Sequence, residues 1–112
     1  MSYHLVLLPH FTKQLKPLLK KYRGLDESVI EMLEKFSPQH GTLIAPEIYK
    51  IRLGTQSLAR GKSGAFRLCV YAFELERQIV PITIYFKGDK ENLSPKDLEH
   101  HTQIILSELQ QS

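Results

Sequence analysis

Apolar and polar residues alternate strictly in the segment Tyr-Lys-Ile-Arg-Leu at positions 49–53. Successive side chains of a β-strand point to opposite faces, so this segment predicts a strand whose apolar residues face a core while Lys50 and Arg52 face the other way. Two longer apolar runs follow, at residues 66–75 and 78–87. The short connection between them predicts a β-hairpin.

Apolar residues recur at helical spacing in three other segments. The first, residues 11–22, is amphipathic with lysines on its polar side, and Pro17 inside it predicts a kink or a late helix start. The second is predicted from an N-cap at Asp26 to about Phe36, and the third begins at the N-cap Ser94. The positions expected to face the core in these two helices are Val29, Ile30, Leu33, Phe36, Leu98, Ile105, Leu106 and Leu109.

A short strand is also predicted over residues 3–8, ended by Pro9. The element order is therefore strand, two helices, three strands, helix. This order predicts an α+β fold, a mainly antiparallel sheet of about four strands with two N-terminal helices and a C-terminal helix packed on one face. The other face is then expected to carry the polar residues. A length of 112 residues suits one domain, residues 1–112.

The composition is that of an ordinary globular protein. Hydrophobic residues make up 42% and charged residues 24%, which is too apolar for a disordered chain. The single cysteine excludes an internal disulfide and gives no reason to expect secretion. The early apolar run from Leu5 to Leu8 is too short for a membrane span or a signal-peptide core. We therefore expect a cytoplasmic protein with no membrane partner.

The positive charges are distributed unevenly. The net charge of +3 is by itself only weak evidence for an anionic partner. However, residues 1–25 contain five basic residues and no acid, and residues 48–73 contain another five and again no acid. The second block includes the alternating strand, so its cations are the first place to look for a binding site.

Three other patterns do not support a site. Residues 61–63, Gly-Lys-Ser, resemble the end of a phosphate-binding loop, but Gln56 stands where that motif needs a glycine, and a strand follows instead of a helix. The five histidines lack the spacing of a zinc or iron site, so no metal and no cofactor is expected. Cys69 lies in mid-strand, without a glycine-rich turn or helix start to expose it, and is expected to be a packed, inert thiol.

A basic set of residues is the candidate site. Alternation puts Lys50 and Arg52 on one strand face and Arg67 on a face of the next strand, while Tyr85 and Lys87 share a face of the third. If these strands are neighbours and the faces coincide, four cations and a phenol meet without a carboxylate among them, which is the chemistry of a phosphate-backbone site. Arg67 interrupts an apolar strand, where an arginine needs a partner. Tyr85 is suited to stack on an exposed base. The alternative interpretation is an ordinary solvated strand face.

These strands resemble the catalytic strands of the RelE-type toxins of type II toxin-antitoxin systems. The resemblance covers residues 48–99 and is carried by three strand segments at residues 49–53, 66–71 and 84–87. The basic, glycine-containing loop at residues 61–64 and the segment from Lys87 to Ser94 are more similar to the HigB branch. The resemblance implies a toxin that enters the ribosomal A site, cuts messenger RNA and is silenced by a cognate antitoxin, with operator DNA contacted only through the toxin-antitoxin complex.

The resemblance also assigns residues. The strand positions that carry over are Lys50, Arg52, Arg67 and Lys87, with Lys90 as a helper. Some relatives use a tyrosine near the C-terminus, whereas no tyrosine follows Tyr85 in this chain. Either Tyr85 takes that role or another group is the base. Arg60 and Lys62 lie in the loop before the arginine strand and are expected to contact RNA or an acidic segment of the antitoxin.

Metal-free RNA cleavage needs the 2′-OH deprotonated, the pentacoordinate phosphate stabilised and the leaving 5′-oxygen protonated. Lys50 is the candidate base, because neighbouring like charges disfavour a protonated amine. Arg52 and Arg67 are the candidate phosphate clamp, and Lys87 is a second clamp or a proton donor. Two other functions stay open: gyrase poisoning, as in the ParE branch of the same fold, and RNA binding without chemistry.

Overall fold

A computed structural model describes residues 3–54, 65–88 and 92–111. Within these ranges the chain forms an α+β domain, which confirms the predicted fold class. The elements in chain order are β1 (His4–Leu5), α1 (Pro9–Lys21), α2 (Leu25–Glu34), a short 3-10 helix (Pro38–His40), β2 (Thr42–Ala45), β3 (Ile48–Leu53), β4 (Phe66–Phe73), β5 (Gln78–Phe86) and α3 (Pro95–Gln111). No helix in the described ranges combines the length and the apolar content needed to cross a membrane.

The strands form one mixed sheet in the order β1-β5-β4-β3-β2. The neighbouring pairs are antiparallel except β1 and β5, which are parallel. The sheet has five strands in the described part of the chain, one more than the sequence predicts. The additional strand, β2, lies between Gly41 and Pro46, in a segment whose turn residues predict a loop. Leu43 and Ile44 of this edge strand are exposed, so the segment has no alternation of buried and exposed positions that would reveal it.

The pairing of β4 with β5 contains one irregularity. Cys69 lies opposite Thr83, and the register then shifts so that Val70 lies opposite Pro81. A proline has no N–H to donate to a β-ladder and is tolerated in sheets mainly at edges and bulges. The bulge therefore accommodates Pro81 inside β5 beside the row that contains Cys69.

One face of the sheet, which we call the packed face, is covered by α1 and α2. Tyr22, just after α1, packs between two aromatic residues of this face, with ring centroids 4.9 Å from Phe66 and 5.3 Å from Phe86. At the other end, Phe36 follows α2 and its ring lies 5.5 Å from that of Tyr49 on β3. Burial of these aromatic side chains is a major source of the core's stability.

The starts of α1 and α2 differ from the sequence-based expectation. The first helix begins at Pro9 and continues through Pro17, so the predicted late start is wrong. Proline is well suited to the first helical position, because its missing N–H has no helical partner there anyway. In the second helix the N-cap is Gly24, in a left-handed conformation with φ of 82°, and Asp26 lies inside the first turn. Asp26 is therefore not the N-cap, although its charge still suits this end of the helix.

The last helix, α3, lies over the opposite face of the sheet, so the prediction that all helices share one face is wrong. Every residue of β4 from Phe66 to Ala72 is buried, which is typical of a strand covered on both sides. The predicted cap is confirmed, since the Asp97 backbone N–H donates to Ser94 Oγ at 3.0 Å. Ile105 is fully buried, whereas Leu106 is exposed, contrary to its predicted core position.

Candidate functional site

Two rows of directly opposed residues cross β3, β4 and β5 on the face that α3 covers, which we call the site face. The rows are Arg52–Arg67–Tyr85 and Lys50–Cys69–Thr83. Directly opposed residues in a sheet have Cβ atoms about 5 Å apart. The three strands are thus neighbours and the predicted faces coincide, so the fold places Lys50, Arg52, Arg67 and Tyr85 together.

Arg67 is the most deeply placed cation of this set. Its side chain is 7% exposed, and Nη1 donates to the Phe66 backbone oxygen at 3.2 Å. The residue opposite it on β3 is Arg52, which is exposed. Like charges directly opposite each other destabilise a sheet. Two adjacent guanidinium groups are, however, well suited to grip one phosphate through paired hydrogen bonds.

Tyr85 lies on the other side of Arg67 and is 9% exposed. Burial raises the pKa of the Tyr85 phenol, and Cys69 adds to this rise, while Arg67 and the backbone N–H of Leu93 act in the opposite direction. The phenol is therefore protonated at neutral pH and suited to donate a proton. Its ring is largely covered and leaves little surface on which a base could stack.

Lys50 is half-buried at the wall of a cavity of about 470 Å³ between the sheet and α3. Cys69 from β4 and Glu99 and Thr102 from α3 line the same cavity. Glu99 places a carboxylate beside a surface that the sequence predicts to be free of acids. The sequence shows that Glu99 and Thr102 share one side of a helix, but not that this side faces the basic strands.

Arg52 opens on a different cavity, one of about 540 Å³ at the edge of the sheet. Glu31 and Lys35 of α2 and His40 of the 3-10 helix line this second cavity. Strand β2 pairs with β3 from Ile48 to Lys50, so the pairing between these two strands ends before Arg52. Lys50 and Arg52 therefore share a sheet face but contribute to separate cavities in the described part of the chain.

The remaining predicted cations lie beyond the ends of β4 and β5. Lys87 is exposed and follows β5 directly, and its backbone N–H donates to the Ala65 oxygen at 2.8 Å. This bond holds Lys87 next to the start of β4, close to the Arg67 row. Arg60, Lys62 and Lys90 lie outside the described residues.

Two polar residues of the site face have structural roles. Cys69 is fully buried, and burial raises the pKa of its thiol to about 11 against an opposing effect of Lys50, so the thiol is packed and inert as predicted. Tyr71 lies two residues further along β4, and its side chain contacts Thr102 of α3 through a hydrogen bond. Burial raises the pKa of the Tyr71 phenol above its ordinary value, so this contact joins two neutral groups.

A histidine pair joins α3 to α1, and the sequence does not predict it. His10 Nε2 lies 2.8 Å from His101 Nδ1, and the His10 backbone N–H donates to Glu108 at 3.0 Å. Burial lowers the pKa of His10, with Glu108 opposing this effect and His100 and Lys13 adding to it. Among the described residues no group of three histidine, cysteine or acidic side chains is arranged to hold a metal ion.

Comparison with solved structures shows that this architecture has been seen before. The chain is similar to a structure of the E. coli toxin RelE, a double arginine-to-alanine variant in the free state, with a TM-score of 0.54. The two sequences are 22% identical, and the match covers 81% of this chain and 90% of that chain. A second similar structure is isolated E. coli RelE, with 18% identity, coverage of 92% of this chain and 99% of that chain, and a TM-score of 0.49. A third is the RelE variant in complex with an antitoxin RelBc peptide, with 19% identity, coverage of 75% of this chain and 82% of that chain, and a TM-score of 0.46. No protein-family model and no curated protein matches the sequence. The chain thus has the RelE-like fold that the strand motifs predict.

Proposed function

We propose that this protein is the toxin of a type II toxin-antitoxin system and that it cuts messenger RNA on the ribosome without a metal ion. The observation that carries the proposal is the row Arg52–Arg67–Tyr85 on a RelE-like fold. Two guanidinium groups side by side provide positive charge that binds a phosphodiester. The protonated phenol beside them provides a proton for the leaving oxygen. Arg67 is buried beneath α3, so this row is not the ordinary solvated strand face of the alternative interpretation.

The phosphate contact is assigned to the two arginines. Arg67 is always charged and mostly removed from water, where its attraction to a developing negative charge is stronger than at the surface. Arg52 is exposed and reaches the same row from the neighbouring strand. The pair stabilises the pentacoordinate phosphate, and a clamp of this kind is worth about 100-fold or more in rate.

Proton transfer is assigned to the groups on either side of this clamp. Lys50 is the proposed base for the 2′-OH, and Glu99 on the same cavity wall is the second group able to accept that proton. The leaving 5′-oxygen receives a proton from Tyr85, which burial keeps protonated, or from Lys87. Substituting Glu99 with Gln and Lys50 with Met separates the two candidate bases, because the true base controls the acidic limb of the pH-rate profile.

The proposed partners follow from this activity. They are the ribosome and its messenger RNA as substrate, and a cognate antitoxin that silences the toxin and carries it to operator DNA. The proposed compartment is the cytoplasm, where translation takes place. The resemblance of residues 48–99 to the RelE and HigB branches supports these partners.

The decisive experiment measures cleavage of a translated message by primer extension in a reconstituted translation reaction. We expect Arg67→Lys to lower the rate at least about 100-fold, because lysine keeps the charge but lacks the planar fork that grips a phosphate. Arg77→Lys is the matched control. Arg77 precedes β5 at the opposite end of the sheet, with its guanidinium 4.3 Å from the Tyr3 ring, and we expect normal cleavage from that variant.

Three results would contradict the proposal. Full cleavage by Arg67→Lys would exclude the clamp. Gyrase-dependent DNA breaks without RNA cleavage would favour the ParE-like function. Binding of RNA with no cleavage by the wild-type protein, with or without translation, would leave a non-catalytic RNA-binding module.

A further inference from the structure

We propose that the outward side of α1 is a second RNA-binding surface, which contacts phosphates away from the bond that is cut. We call this surface the α1 stripe: Lys13, Lys16 and Lys20, continued by Lys21 and Arg23. The inference rests on the proposed function for its biological meaning, because it extends the RNA contact beyond the site face. Its physical basis, a row of cations beside an anion site, is independent of catalysis.

The stripe is continuous on the helix surface. At about 100° per residue, Lys13, Lys16 and Lys20 fall within about 60° of one another, and at about 1.5 Å per residue they extend over about 10 Å. All three side chains are exposed, and so are Lys21 and Arg23. Lys13, Lys16 and Lys20 therefore form one line along the outside of α1. Lys21, about 100° around the helix from Lys20, and Arg23, after the helix, add charge at its C-terminal end.

No acid balances this line. Residues 1–25 contain no aspartate or glutamate, and among the described residues the one ion pair within 4 Å joins Lys35 to Glu31 on α2. Lysines four residues apart, such as Lys16 and Lys20, repel each other by a few tenths of a kcal/mol, about 0.2–0.5. The helix dipole favours cations only in the last turn, where it explains Lys20 and Lys21 but not Lys13 and Lys16.

The stripe runs toward the same end of the sheet as the candidate site. Tyr22, one residue after α1, packs against Phe66 and Phe86. Phe66 and Phe86 immediately neighbour Arg67 and Tyr85 in sequence, so the C-terminal end of α1 lies at the same end of the sheet as the Arg67 row, although over the opposite face. An RNA strand held at that row would pass around this end of the sheet to reach α1, and no acidic residue lies on the helix along its way.

A polyanion fits this surface better than a protein does. Protein interfaces are anchored by aromatic and apolar side chains, and lysine is depleted from their centres. The large apolar side chains that are exposed in the described part of the chain are Leu7, Leu43, Ile44, Leu75 and Leu106. None of them lies between Pro9 and Arg23, whereas two are on the edge strand β2. The stripe offers charge without an apolar anchor, which suits a phosphate backbone.

The test is the salt dependence of RNA binding. A fluorescent single-stranded RNA with 2′-O-methyl groups has no nucleophile and cannot be cut, so anisotropy reports binding alone. Each phosphate contact contributes about −0.7 to the slope of log K against log salt concentration for a single strand. We expect K16Q/K20Q to make the slope shallower by about 1.4. Lysine and glutamine have similar helix propensities, so the fold should be retained, as circular dichroism can verify.

A variant with the same net charge controls for the total charge. Gln103 and Gln110 are exposed on α3, and both lie about half a helical turn away from His101, the residue that faces α1. Q103E/Q110E lowers the net charge by two, as K16Q/K20Q does, but leaves the stripe intact. We expect a much smaller change of slope from this control than from the stripe variant.

The source of the phosphates is resolved by two further probes. A slope change with the single strand indicates the message itself, whereas a change only with a 2′-O-methyl hairpin duplex indicates structured RNA such as that of the ribosome. Equal slopes for K16Q/K20Q and Q103E/Q110E with both probes would overturn the inference, as would a loss of binding confined to polyglutamate, a model of an acidic protein. If the stripe changes the slope but no message is cut, the proposed function fails and the stripe stands.

Discussion

Phe66 and Arg67 are neighbours on β4, and they show how differently the two faces of the sheet are built. Phe66 is fully buried on the packed face, where Tyr22 and Phe86 contact its ring. Arg67 is almost as buried on the site face, opposite a second arginine and a phenol. The packed face is thus joined by apolar and aromatic contacts, and the site face by polar groups whose burial is costly.

The helices that lie over the two faces of the sheet also differ in how they contact it. The helices on the packed face are joined to it largely by aromatic rings, as with Tyr22. Gln14 of α1 also donates to the Ile82 backbone oxygen and accepts from the Thr83 hydroxyl at the edge of the sheet. On the site face α3 leaves a cavity beside Lys50, and a hydrogen bond joins its Thr102 to Tyr71 of β4. Polar and charged groups at sites selected for function often carry a cost in stability.

The largest expected effect is a loss of free energy of unfolding that is greater for a substitution on the packed face than for one on the site face. Phe66→Ala should lower the free energy of unfolding by about 3–5 kcal/mol, since it removes a ring from a fully packed cluster. Cys69→Ala, on the same strand and the site face, removes one sulfur and should cost about 1 kcal/mol. Urea denaturation followed by circular dichroism measures both values. Similar losses in the two variants would show that the faces are equally well packed.

The strand faces were the most predictable part of the molecule. A period of two along β3 is a local property, so it assigns Lys50 and Arg52 to one face before any contact is known. The near-continuous burial of β4 has a local signature too, because an apolar run without alternation indicates cover on both sides. The expectation of helices on one face overlooked that signature.

The contacts of α3 could not be predicted in this way. Glu99 and Lys50 line one cavity, and His10 contacts His101, only because the fold brings together residues that are far apart in the sequence. Neither pair has a motif or spacing that marks it. Strand β2 was missed for a different reason: its side chains are mostly exposed, so burial leaves no pattern in its sequence.

A second prediction concerns Arg52→Gln, a variant on the site face that should lose activity without losing stability. Arg52→Gln should change the free energy of unfolding by no more than about 0.5 kcal/mol, because Arg52 is exposed and opposes a like charge. Its cleavage of a translated message should fall at least about 100-fold if it is half of the phosphate clamp. Lys35→Gln is the control, since Lys35 lines the same cavity as Arg52. Equal cleavage by the two variants would remove Arg52 from the site.

The smallest expected effect concerns pH and the attachment of α3. His10 is held with its pKa below the ordinary value, mainly by burial, so the folded state binds a proton less readily than the unfolded state. Stability should therefore be full above about pH 6.5 and decline as the pH falls toward the lowered pKa of the folded state.

The histidine pair makes this decline specific to the cover of the site face. A proton on each ring would place two cations with their ring nitrogens 2.8 Å apart. Lys13 and His100 add positive charge near His10, and Glu108 opposes it. Amide hydrogen exchange between pH 7 and pH 5, corrected for the intrinsic pH dependence of exchange, should show α3 losing protection while β4 retains it. His10→Asn should remove most of this difference, and His4→Asn, at an exposed position in β1, should not. A uniform loss of protection over α3 and β4 would mean that α3 and the sheet respond to acid as one unit.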